Sequence, residues 1–134
     1  MRQLILSFAL FGFVCSGYAQ STSNESLSLQ ACQADTIVFG FDITSPFNLG
    51  NTFSVEMSDA SGNFTGNFVS TNALLAYGVS VGYEIDVLIP DNTTQGLYKF
   101  RMISSNPVLI SDTIPNVIIG ANPQTGFSAF SWFD

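Results

Sequence analysis

Hydrophobic and polar positions alternate most cleanly between Tyr83 and Pro107. Tyr83, Ile85, Val87 and Ile89 fall on one phase, with Glu84 and Asp86 on the other. After a break at Pro90-Asp91-Asn92 and Gln95-Gly96, Tyr98, Phe100 and Met102 alternate with Lys99 and Arg101. A period of two on both sides of a Pro/Asn/Gly break predicts two half-buried antiparallel strands joined by a turn. The same period runs through Ile37, Phe39, Phe41 and Ile43 and stops at Ser45-Pro46, since proline cannot donate to a ladder. Asn48 to Asn51 then turns the chain into a further strand carrying Phe53, Val55 and Met57. Asp59-Ala60-Ser61-Gly62 reads as a tight turn in which the glycine takes a positive φ.

Other stretches carry weaker patterns. Asn63 to Val69 predicts a shorter strand with Phe64 and Phe68, and Ala73 to Tyr77 a strand or an irregular crossing. Val108–Ile110 and Val117–Ile119 read as two pieces of a last strand, with Asp112 to Pro115 as a kink or bulge on a sheet edge. No segment carries a helix start signal followed by helical spacing. Short strands separated by turn signals predict an all-β fold, an antiparallel sandwich of about seven strands.

The N-terminus has a different character. Arg2, the uncharged apolar run Leu4 to Val14 and the small residues around Gly17-Tyr18-Ala19 predict a signal peptide, residues 1–19, cleaved after Ala19. The run is short of the ~20 apolar residues that span a bilayer, so no membrane span is expected after cleavage. Val14 stands where a lipoprotein signal has a small residue before Cys15. The Ser-rich stretch 20–31 reads as a flexible leader, 32–120 as the sandwich, and 121–134 as an aromatic tail that adds an edge strand or begins a further segment.

Removing 19 of the 134 residues leaves 115, enough for one domain with its own core. Lys99 and Arg101 then face ten acidic residues, a formal charge of −8, which opposes binding to nucleic acid or anionic lipid. Cys32, the one cysteine left, has no partner for an internal disulfide. No histidine is present, which removes Ser-His-Asp triads and most zinc sites. Glu84 and Asp86, two apart on one strand face, are the remaining acid/base candidates for a small glycoside hydrolase, against the simpler reading of a solvated strand face. Asp59, Ser61 and Gly62 lack the spacing of a calcium loop; Asp35, Asp91 and Asp112 are candidates for calcium at a domain junction. Neither a catalytic residue, a metal nor a cofactor is assigned. Tyr77, Tyr83, Phe127, Phe130, Trp132 and Phe133 exceed what a core of this size needs; Tyr77, Phe130, Trp132 and Phe133 are the candidate contacts of a carbohydrate-binding module.

Cys32, the segment Asn48 to Phe53, Met57 to Phe64, Ile89-Pro90, Gly96-Leu97-Tyr98, Arg101 and Ser104 to Pro107 occur in an order that resembles an Ig-like β-sandwich module of Bacteroidota. Such modules occur in secreted and cell-surface proteins, among them adhesin- and gliding-associated ones, and the resemblance spans Cys32 to about Ile119. It implies a sandwich fold, a surface location, and neighbouring domains, surface proteins or glycans as partners. It implies scaffold roles for Asn51, Gly62, Pro90, Gly96 and Tyr98, the last as a tyrosine corner bonding upstream backbone. Asn51 and Asp59 are expected to bond nearby amides, and Arg101 to pair with Glu84 or Asp86 for ~0–1 kcal/mol. Asp-Thr-Ile at Asp35 and Asp112 is similar to the O-glycosylation pattern of those bacteria, which makes Thr36 and Thr113 candidate sites. Asn24, Asn63 and Asn92 begin N-glycosylation sequons, meaningful only in a eukaryotic secretory route.

Overall fold

The computed structural model of the chain describes residues 19–122. The signal peptide and the tail with Phe127, Phe130, Trp132 and Phe133 lie outside them. Eight strands follow one another: β1 (Ser21–Ser26), β2 (Gln30–Cys32), β3 (Thr36–Ser45), β4 (Thr52–Met57), β5 (Leu74–Leu75), β6 (Ser80–Leu88), β7 (Gly96–Ser104) and β8 (Ile114–Gly120). There is no helix among the described residues, so none is long and apolar enough to cross a membrane.

The strands form two sheets, one ordered β1-β3-β6 and the other β2-β8-β7-β4-β5. Every pairing is antiparallel except that of β2 with β8. The alternating apolar positions all point between the sheets: Phe39, Phe41, Ile43, Ile85 and Val87 from one, Phe53, Val55, Met57, Phe100, Met102, Val117 and Ile119 from the other. Phe41 meets Phe53 across the gap with ring centroids 4.9 Å apart, and Phe47 meets Phe53 edge-on at 4.9 Å. Burying each such ring contributes roughly 2–3 kcal/mol, which makes this apolar layer the largest stabilising term.

The structure corrects several expectations. β6 and β7 are strands, but they do not pair: they lie in opposite sheets. Seven residues, Ile89 to Gln95, separate them, too many to enforce a tight hairpin and enough to cross the ~10 Å between layers. Ile89 stays bonded to the first layer through Asp35, and Thr93 turns back on Pro90. The stretch 20–31 is not a free leader but two strands. β1 lies along β3, and its polar side chains bond those of β3, Ser21 with Thr44 and Asn24 with Asp42. Backbone pairing at a sheet edge needs no apolar side chains, so a Ser-rich sequence suffices.

Asn63 to Val69 forms isolated bridges instead of a strand, because Gly66 at φ 85° turns the loop back over β4. Ala73 to Tyr77 supplies only the two-residue β5. The expected bulge is present where the register shifts between Tyr98 and Phe100, with Asn116 at φ 60°, but it lies in β8, which β7 and β2 flank, not in an edge strand.

Candidate functional site

Two features of the fold hold polar side chains in constrained surroundings, and a third is an opening into the core. The first is on the outer face of the larger sheet. Glu56 is 2% exposed although it sits on the polar phase of β4, because the loop after Asp59 folds over it. Its Oε2 accepts from Arg101 Nε and Nη2, both at 2.8 Å, and its Oε1 from the Gly66 amide at 2.6 Å. The Phe64 ring covers the guanidinium, 4.0 Å from its centroid. Arg101 therefore pairs with Glu56, opposite it in the β4–β7 register, and not with Glu84 or Asp86, which belong to the other sheet.

The second feature is Asn51, fully buried where three loops meet. Its Nδ2 donates to the Ala76 carbonyl at 3.0 Å, and its Oδ1 accepts from the amides of Ser105 at 3.1 Å and Asn106 at 2.8 Å. Instead of serving its own turn, it ties the β3–β4, β5–β6 and β7–β8 connections into one pole of the sandwich.

The third is a cleft of about 420 Å³ beside that pole. Phe47, Phe53, Met102 and Ser104 floor it, the run Gln20 to Glu25 forms one wall and Leu109 to Asp112 the other. It exists because the chain changes sheets after Ser26. β2 covers the edge of β8 at the far end, while β1 has moved to β3 and leaves the near end open.

The remaining candidates are dispersed. Tyr77 is exposed at the loop pole, where its carbonyl accepts from the Phe47 amide, whereas Tyr83 stacks on Phe41 with centroids 5.6 Å apart. Glu84 and Asp86 stand on the exposed face of β6 and line no part of the cleft. Asp112 lines the cleft at one pole, while Asp35 accepts from the Cys32 amide at the other, and Asp91 is exposed after Pro90. No group of three metal-ligating side chains is found among the described residues. Thr36 and Thr113 are exposed at strand ends, and Cys32 is half-buried as a free thiol. At Gly62, φ 84°, an added Cβ would come 3.1 Å from Lys99 Nζ.

The Tyr98 hydroxyl donates to the Thr94 carbonyl at 2.7 Å from the start of β7. Tyr98→Phe is therefore expected to lower the unfolding free energy by about 1 kcal/mol, read as a shifted denaturant midpoint at constant slope. Asp42 and Asp59 supply a pH dependence. The Asn24 amide, then the Gly82 N–H, hold the Asp42 carboxyl below its ordinary 3.8; the Asn63 N–H foremost does the same for Asp59. Groups with lowered folded-state values stabilise fully above the unfolded value and lose that contribution as the pH falls through the lowered ones. The double variant Asp42→Asn/Asp59→Asn should accordingly show a shallower loss of stability below about pH 4 in acid titrations of the folded protein.

Neither Glu56 nor Asn51 stands out in the sequence, since each occupies an ordinary polar position. The one available signal was scarcity: once the signal peptide is removed, Arg101 and Lys99 are the only basic residues, so a buried acid has few partners. Comparisons found no matching family model, no matching curated protein and no matching solved structure.

Proposed function

We propose that this chain is an exported, non-catalytic Ig-like module that serves as a structural or adhesive unit at a bacterial surface. The observation that carries the reading is the path of the chain. It enters at the loop pole, where Ser21 lies opposite Ser45, and leaves at the opposite pole, where the Gln33 amide bonds the Gly120 carbonyl. A module threaded end to end spaces whatever precedes it from whatever follows it, by about 30 Å for strands of nine residues. The strand order supports the Ig-like assignment. With β1 and β2 as a split first strand, one sheet holds the first, second and fifth strands of the immunoglobulin plan and the other the third, sixth and seventh. Tyr98 stands where that plan places its tyrosine corner. The titratable side chains with fixed partners, Glu56, Asp42 and Asp59, hold loops and edges in place.

Fractionation of the cells that make the protein, with N-terminal sequencing, tests the reading. The expected product starts at Gln20 and is found at the cell surface or in the medium. A chain retaining Met1 and confined to the cytoplasm would overturn it.

A further inference from the structure

We infer that the cleft beside the loop pole is a strand-addition site for an extended peptide of another protein, one with apolar side chains at alternate positions and a basic residue at its flanks. This deepens the adhesive reading by naming the contact surface.

The first argument is the shape of the lining. Six consecutive residues, Gln20 to Glu25, and four more, Leu109 to Asp112, line the opening. Side chains of successive strand residues point to opposite faces, so a cavity that touches every residue of a run lies along its edge, not its face. Both walls are free edges. β1 is the outermost strand of its sheet, with β3 on its other side. The 109–112 segment is held from one side only, through Ser104 N to Leu109 O and Ser111 N to Met102 O, both at 2.9 Å. An extended peptide entering between them meets main-chain donors and acceptors, the chemistry of β-strand addition.

The second argument is the floor. Phe47, Phe53 and Met102 present rings and a flexible thioether at the bottom of the slot. Every second side chain of an inserted strand would point down at them, while the others face solvent. About 420 Å³ falls within the ~300–1,000 Å³ range of ligand sites and accommodates a few apolar side chains.

The third argument is charge. Glu25 and Asp112 stand on opposite walls, and no lysine or arginine lines the cleft. Beyond residue 19 the chain carries ten acidic residues against two basic ones. A partner with lysine or arginine beside its apolar core is attracted and oriented here, and an acidic one is repelled.

The test uses the chain from Gln20 onward and a panel of blocked heptapeptides with Val, Ile, Leu or Phe at alternate positions. These are made with lysine flanks, glutamate flanks, or lysine flanks plus N-methylation of alternate backbone amides. Binding is followed by titration, and the site by amide hydrogen exchange. Lysine-flanked peptides are expected to bind saturably and to slow exchange at Ser21–Glu25 and Leu109–Asp112. Glutamate flanks or N-methylation should each weaken binding on the order of tenfold, and Glu25→Lys/Asp112→Lys should reverse the flank preference. No saturation up to about 1 mM, protection elsewhere, or equal affinity for N-methylated peptides would overturn the assignment. So would binding of the chain's own 123–134 segment as a peptide while the lysine-flanked panel is silent. Failure here leaves the export and spacer reading untouched, because that rests on the chain path and the location of the protein.

Discussion

Arg101→Ala is expected to lower the unfolding free energy by about 3 kcal/mol or more, a large share of the ~5–15 kcal/mol typical of a domain. The loss comes less from the missing attraction than from what remains. Glu56, 2% exposed, would keep a carboxylate beneath the loop with only the Gly66 amide opposite it. Phe64 would also lose the guanidinium it covers. Neutralising the acid in that background, Arg101→Ala/Glu56→Gln, should therefore restore stability in part, since the amide oxygen can still accept from Gly66. Urea unfolding of the wild type and both variants checks this. A double variant less stable than Arg101→Ala would show that the buried charge is not the source of the cost.

The second large effect is at Asn51. Asn51→Ala removes three side-chain hydrogen bonds from a fully buried position and strands the Ala76 carbonyl and the Asn106 amide. At ~1 kcal/mol per bond the expected loss is about 2–4 kcal/mol, with Tm lower by roughly 10–20 °C. A residue serving only its own turn would cost well under that. Hydrogen exchange separates the two cases: Asn106, whose amide bonds Asn51 Oδ1 at 2.8 Å, should exchange much faster in the variant, while Phe100 in the core should change only as global stability does. Because the same side chain ties down the connection that ends in the cleft wall, its loss should also loosen Leu109 to Asp112.

The faces of β3, β4, β6 and β7 were legible in the sequence because burial on one side imposes a period of two, visible at Phe39 and Phe41 or Tyr98 and Phe100. Which strand lies beside which was not. Alternation identifies the inward side chains but not the partner, so β6 and β7 read as a hairpin although the seven-residue connection between them spans the layers. β1 left no apolar trace because none of its side chains is fully buried. Glu56 and Asn51 were read as a solvated acid and a turn residue; their importance depends on which distant segments fold over them. The cleft was illegible for the same reason, since it is created by the point at which the chain changes sheets, between Ser26 and Gln30.

The central claim is the division of the strands into two layers, and nuclear Overhauser contacts between backbone protons test it most directly. The account predicts cross-strand contacts of Arg101 with Glu56 and of Tyr98 with Val117, contacts of Phe39 with Ile85, and none between the β6 and β7 backbones. A ladder joining Glu84–Leu88 to Gly96–Phe100 would contradict it, because those strands would then share one sheet and the core between Phe41 and Phe53 would not exist.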